Sequence, residues 1–265
     1  MKIGIIGIGV VGSAVASGLR DLGHSMFLHD IKYKSSIKDV LKTDVCFICV
    51  PTPSIKEGEC DTSIVFEVIK NLNDLKYSGI VAIKSTVEPG TTKKMQGLFP
   101  DLEICFVPEF LRERCAISDF TDNHDICIIG TDKEHVYEKV KQSHGDYPKE
   151  FVKLSSTEAE ITKYFNNIYN ATLITFANSF YEICKSLDIN YKNIKKAISK
   201  RDHIDGRYLD CNENLRGFGG VCLPKDTLAI AQLVKKLNLD IDFFDILLKE
   251  NLKYKTTVLE GMREE

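Results

Sequence analysis

Six short apolar runs, KIGIIG, SMFLHD, DVCFICV, GIVAIKS, LEICFVP and DICIIG, recur along the first half of the chain, each followed by polar or helix-compatible sequence. Runs this short and this apolar suit strands buried on both faces, which is what a parallel sheet covered by helices demands. The rhythm therefore constrains the chain to an α/β fold with a mostly parallel sheet. It ends near Leu154. From SSTEAEITKYF onward a 3.6-residue periodicity runs through IYNATLITFANSFYEICKSLDI and predicts one long helix. Ser156 or Thr157 can cap it, and Glu158 and Glu160 suit the positive end of its dipole. NIKKAISK, DTLAIAQLVKKL and FFDILLKENLKYKTTVLEGM read as further helices. With 265 residues there is room for two modest domains, expected at 1–154 and 155–265.

The first run leads into GIGVVG, Gly7 to Gly12, a GxGxxG pattern that is weak alone. Placed directly after a strand and at the start of a helix, its glycines can make a tight turn, admit a pyrophosphate and let helix pack on strand. The helix N-terminus then offers N–H groups and positive potential to phosphates. The second run closes on Asp30, where an acidic residue can accept from an adenosine ribose and repel a 2′-phosphate. A Rossmann-like, NAD-binding domain is expected; a plain glycine turn with Asp30 as a helix cap is the other reading. VPTP, STVEPGTT and VPEFLRE follow the third, fourth and fifth runs, at the strand edge where ligands of open α/β sheets bind.

A net charge of -3, with lysines spread along the chain, argues against nucleic acid. No apolar run approaches the roughly 18 residues of a membrane span. Met1 leads straight into a strand rather than a signal segment, so a cytoplasmic protein is expected. Nine cysteines, an odd number, fit reduced thiols better than a disulfide framework. Cys46 and Cys49 form a CxxC inside a strand, where they point to opposite faces; no metal site is expected.

One cysteine differs. RGFGGVCLPKDT sets Cys222 beside Gly219, Gly220 and Pro224, in a loop where backbone can approach a ligand and a thiol can stay accessible. Lys225 and Asp226 follow as a nearby cation and a possible acceptor or base. The alternative is an inert Cys222 in a glycine turn, with Asp226 capping the next helix. Beside an NAD fingerprint, an accessible thiol suggests oxidation of an alcohol by four electrons with two NAD, through a thiohemiacetal and a thioester.

GFGGVCLPKD, together with GIGVVG, VPTP, STVEPGTT, VPEFLRE and AEITKYFNN in that order, resembles the UDP-glucose dehydrogenases of the nucleotide-sugar 6-dehydrogenase family. The resemblance implies that Cys222 is the covalent nucleophile, Lys163 stabilises the oxyanion and Asn167 is its companion one turn later. It implies that Asp226 handles protons beside the thiol, Thr86 helps to hold the catalytic water, Glu109 assists hydrolysis and Glu113 lies near substrate and cofactor. The implied cofactor set is Gly7, Gly9, Val10, Val11, Gly12, Asp30, Lys32, Pro51, Thr52, Ser85, Thr86, Glu113 and Lys225. The implied substrate set is Phe110, Leu111, Arg112, Glu113, Lys163, Asn167, Phe218, Gly219 and Gly220. Val221 and Lys225, flanking the cysteine, favour UDP-glucose over N-acetylated sugars, although GDP-mannose enzymes have a similar loop.

The match also implies a homodimer formed through the helices after Glu158. It further implies a third, nucleotide-binding domain that this sequence lacks, since it stops within an expected connecting helix; supply of that domain by a partner chain and loss of activity both stay open. Val107 and Arg114 depart from the family's asparagine and glycine, and its trans-acting arginine is not recognisable, Arg207 and His203 being the candidates. Two other readings stay open: a catalytically impaired paralogue or accessory subunit, and a small-substrate 3-hydroxyacid-type dehydrogenase.

Overall fold

A computed structural model describes residues 1–55 and 58–257. The chain falls into two units, the first made of 1–53 and 60–163, the second, among the described residues, of 54–55, 58–59 and 164–257.

The first unit is built on a seven-stranded sheet. Its strands are β1 (Lys2–Ile6), β2 (Ser25–His29), β3 (Val45–Ile48), β4 (Ile80–Ile83), β5 (Glu103–Phe106), β6 (Ile126–Gly130) and β7 (Glu150–Leu154), in the order β2-β1-β3-β4-β5-β6-β7. Neighbours run parallel except β5 and β6, which meet antiparallel at Phe106 and Gly130. Helices α1 (Val10–Asp21), α4 (Ala116–Thr121) and α5 (Glu134–His144) pack on one face; α2 (Ser63–Asp74) and α3 (Thr91–Leu98) pack on the other. Every residue of VCFI in β3 is fully buried, as a strand covered on both faces requires. Cys46 and Cys49 fall on opposite faces, and none of the nine cysteines is in a disulfide. Strand β7 carries no strong sequence signal because KEFVKL mixes charge into a sheet edge, where charge blunts unwanted pairing.

The long helix is α6 (Ser156–Ser186). Its cap is Ser155, not Ser156 or Thr157: Ser155 Oγ accepts from Glu158 N, and Glu158 Oε2 accepts from Ser155 N at 2.8 Å, a reciprocal capping box. The second unit continues with α7 (Tyr191–Ile198), α8 (Leu223–Lys236) and α9 (Phe243–Asn251) around cores led by Tyr164, Ile168, Phe218 and Leu247 and by Ala177, Cys184 and Leu209. Two further sequence expectations need correction. Helix α8 opens at Leu223 rather than at Asp226, because Pro224 is compatible with a first turn. The final segment is not one long helix: α9 ends at Asn251, and Thr256 bridges to Gly217, so the polar, β-branched KYKTT stretch pairs instead of continuing. The expected continuation, VLEGM, lies outside the described residues. Among the described residues no helix is long and apolar enough to cross a membrane, and no cluster of His, Cys, Asp and Glu could hold a metal.

Candidate active site

The candidate residues form one cluster on each unit. In the first, strand order reverses between β1 and β3, so a crevice opens beyond their carboxyl ends. There Gly7 adopts φ 93, and a Cβ on it would lie 2.7 Å from the Cys49 carbonyl; a Cβ on Gly12 would lie 1.9 Å from Gly7 O. Only glycine fits either place. Gly9, the N-cap of α1, has nothing within 4 Å of its missing Cβ, so the first turn presents its N–H groups to open space that a phosphate could enter. Val10 stands exposed in that turn, with Val11 half-buried behind it.

Asp30 accepts from Lys32 N at 2.8 Å and from Ile8 N at 2.7 Å, and these two bonds hold its carboxyl below the usual range. An ionised Asp30 thus braces the glycine turn while keeping lone pairs for a ribose. Lys32 and Lys34 are exposed beyond it. The residues fit a dinucleotide.

After β3, Pro51 is exposed and Thr52 half-buried. Ser85 commits its hydroxyl to Val50 O at 2.7 Å, which makes it a brace of the strand edge. The Thr86 carbonyl accepts from Cys60 Sγ at 3.2 Å. After β5, Glu109 and Lys163 come together: Lys163 Nζ donates to Glu109 Oε1 at 2.9 Å and to the Glu109 main-chain carbonyl at 2.6 Å, with side chains only 5% and 11% exposed. Burial pushes the Glu109 carboxyl up, but the Lys163 ammonium and the Leu111 N–H outweigh it and leave the group below its ordinary value. Lys163 also lies 5.7 Å from the Phe110 ring centre. Leu111 packs into the core, and Arg112 closes a two-pronged pair on Asp119, at 2.9 and 2.6 Å, so its fork is engaged within the protein. Glu113 and Arg114 are exposed in the next turn.

Two charged residues of this cluster escaped the sequence reading. Lys84 is 3% exposed at the end of β4, its ammonium 5.7 Å from the Phe47 ring centre, where its charge also lowers the Glu109 carboxyl. Its only signal was a lysine closing an apolar run. Glu160 was read as serving its own helix; instead it is fully buried and accepts from main-chain N–H groups at the start of α3.

In the second unit, Cys222 is the exposed N-cap of α8, and Asp226, 1% exposed, follows one turn later. Asn167 Nδ2 donates to Asp226 Oδ2 at 2.6 Å, and Lys225 Nζ lies 2.7 Å from Oδ1. Lys225 and Asp226 are paired by charge alone, neither Nζ nor Oδ1 having a hydrogen bond among the described residues. Phe218 turns its ring into the core, so its backbone alone is left to face a ligand. Asn251 clamps that backbone, accepting from Phe218 N at 2.8 Å and donating to Phe218 O at 2.9 Å. Gly219 has no room for a Cβ, which would meet Thr256 Cγ2 at 2.3 Å, and Gly220 adopts φ 74. An open cavity of about 570 Å³ borders this loop, lined by Gly219, Gly220, Val221, Pro224, Leu252 and Thr256. Arg207 pairs with Asp205 on the surface, and His203 is exposed.

The glycine turn at the switch point defines a dinucleotide-binding α/β protein with a helical second unit. Residues 31–146 match the NAD binding domain, and residues 157–253 the central domain, of the UDP-glucose/GDP-mannose dehydrogenase family. The chain belongs to that family, and its first unit carries the family's NAD-binding domain. It is 31% identical to UDP-glucose 6-dehydrogenase from Rickettsia bellii, over 83% of this chain and 52% of the relative. It is 27% identical to UDP-glucose 6-dehydrogenase TuaD from Bacillus subtilis, over 92% and 54%. It superposes on a UDP-glucose dehydrogenase from Pyrobaculum islandicum with a TM-score of 0.86 and 25% identity, covering 95% of this chain and 68% of that one. The chain thus spans about half the length of these curated relatives.

Proposed function

We propose that this chain oxidises the C6 alcohol of a nucleotide sugar, UDP-glucose, to the carboxylate through Cys222. The observation that supports this most is the pairing of an exposed thiol at the N-terminus of α8 with a buried Asp226 one turn later, held by Asn167 and Lys225. NAD binding alone has no use for such a cluster.

NAD, held by the glycine turn and Asp30, supplies hydride acceptance, two equivalents for each sugar. The chain's own residues do the rest. Cys222 sulfur adds to the C6 aldehyde to give a thiohemiacetal, whose further oxidation leaves a thioester. Water, held near Thr86 and relieved of a proton by Glu109, attacks the thioester carbon; the C–S bond breaks, and thiol and carboxylate result. Lys163 keeps Glu109 ionised for that step and stabilises the oxyanion. Asp226 exchanges the proton of the thiol. Glu113, Phe110 and the backbone of Gly219 and Gly220 contact substrate. Residues 1–154 act as the NAD domain and 155–265 as the helical domain.

The same reading includes a homodimer, because Phe165, Tyr169, Phe176, Phe180 and Ile183 stand exposed at three-, four- and seven-residue spacings along α6. It also puts the protein in a reducing cytoplasm, in keeping with nine cysteines outside any disulfide.

A panel of nucleotide sugars assayed for NADH release, with intact mass recorded, tests the reading. The expected result is two NADH per UDP-glucose and a sugar adduct on Cys222. No NADH from any nucleotide sugar overturns it, as does one NADH per molecule of a simple 3-hydroxyacid.

A further inference from the structure

Glu160 sits on α6 one turn before Lys163, with its side chain shut off from solvent. Both carboxylate oxygens are taken by main-chain donors: Gly90 N reaches Oε2 at 2.5 Å and Thr92 N reaches Oε1 at 2.7 Å. These donors belong to the N-terminus of α3, whose N-cap is Gly90 at φ 94, a residue with no side chain to receive them. The first N–H groups of a helix have no partners within it, and leaving such groups unpaired in a dry interior costs stability. Glu160 fills the place of the missing cap, and its charge suits the positive end of α3.

What this cap fixes is the turn between β4 and α3. At the strand end, Lys84 N and Ser85 N donate to Ile48 O at 2.9 and 3.1 Å, and Ser85 Oγ donates to Val50 O. At the helix end, Thr91 N and Thr91 Oγ1 donate to Glu88 O, and Glu160 holds the residues on either side of Thr91. Thr86 lies on the segment strung between these anchors. Three residues after Glu160, on the same face of α6, Lys163 grips Glu109 by side chain and main chain. One stripe of one helix therefore locates both the Thr86 turn and Glu109.

We propose that Glu160 is a positioning residue for thioester hydrolysis, its doubly engaged carboxylate setting the Thr86 turn against Glu109 so that water is held where the carboxylate can deprotonate it. This rests on the nucleotide-sugar reading above. A reaction that needs a water placed between two groups is sensitive to their spacing, and displacement of about 1 Å can cost two orders of magnitude. The hydride steps that precede hydrolysis do not use that water. Loss of Glu160 should thus separate the two halves of the reaction.

The test compares wild-type protein with Glu160→Gln, whose amide keeps one acceptor but turns an N–H₂ toward the other main-chain donor. Pre-steady-state NADH release and intact mass during turnover of UDP-glucose are measured on the 265-residue chain. The expected variant gives a burst of two NADH per Cys222 at a rate within about twofold of wild type, then a steady rate lower by about tenfold or more. It accumulates a sugar-sized adduct on Cys222. Equal loss in burst and steady rate with no adduct, or no loss in either, overturns the proposal while leaving the parent reading intact. Wild-type protein that releases no NADH overturns both. Should Glu160→Gln not fold, as judged by circular dichroism, Glu160→Asp keeps the charge but is too short to reach both donors, and the same burst, steady rate and adduct decide.

Discussion

Lys163 holds Glu109 at two points, its carboxylate and its own main-chain carbonyl, so one ammonium fixes both the charge and the location of the carboxylate. Glu109 is kept below the usual carboxyl range, against the upward push of burial. With a depressed folded value, the stability it contributes is present above the unfolded value of 4.5 and is lost as pH falls below that through the folded one. Lys163→Ala takes the ammonium from the carboxylate and leaves it in its dry site with the Leu111 N–H, so its proton affinity rises. The acid limb of the pH–kcat profile is expected to move up, with stability lower by about 3 kcal/mol in urea unfolding at neutral pH. An unmoved acid limb would show that Glu109 is not the group titrating there.

Gly9 and Gly12 separate two ways in which a glycine serves the dinucleotide turn. Gly12→Ala drives a methyl to 1.9 Å from Gly7 O and should cost about 2 kcal/mol of stability together with NAD binding. Gly9→Ala meets no protein atom within 4 Å. It should leave the melting temperature nearly unchanged and still weaken NAD by about tenfold, because the methyl occupies ligand space. Titration calorimetry beside thermal melts reads both; unchanged NAD affinity in Gly9→Ala would place the dinucleotide elsewhere.

Asn167 donates to a carboxylate that is almost wholly buried. Asn167→Ala removes one partner of Asp226 and should cost about 1–3 kcal/mol. Asn167→Asp sets two carboxylates against each other and should cost more at neutral pH, with part of the loss recovered on mild acidification as the pair takes up one proton. Urea midpoints for the two variants at neutral and acid pH check the order and the recovery.

His144, buried at the end of α5, and His124, half-buried after α4, stand with their rings 6.0 Å apart. Burial first, and the Lys84 charge second, push His144 down to about 3 and His124 down to about 4. The unfolded chain takes up these protons near 6.5, whereas the folded protein refuses them until the lower values, so stability falls as pH drops from 6.5. By pH 4 the cost is roughly 3 kcal/mol for each histidine. His144→Phe should shift the midpoint of acid unfolding, followed by circular dichroism, to lower pH; a midpoint that rises would assign acid lability to other groups.

The strands and the glycine turn were legible because burial on two faces leaves an unbroken apolar run, and because GxGxxG was read in its strand–turn–helix setting. The helix boundaries were less so. Ser155, Ser156 and Thr157 are all competent caps; Ser155 and Thr157 each have a glutamate three residues on, and only the fold commits Glu158 to Ser155 and Glu160 to α3. Side-chain allegiance was the least legible feature. Arg112, Lys225 and Ser85 look like ligand contacts in their motifs, yet each faces a neighbour in the chain: Arg112 and Ser85 bond Asp119 and Val50 O, and Lys225 lies against Asp226 as a charge. Glu160 and Lys84 resemble surface charges in a one-dimensional string, and only folding shows that both lie in the interior.

The spacing of Glu160 and Lys163 on α6 carries a consequence for how this chain can change over generations. An inserted or deleted residue between them turns one against the other by about 100°. Glu160 and Lys163 could then not both keep their partners, whatever amino acid was gained or lost. Ile161, exposed within the same stretch, can drift in identity. The count of residues there cannot.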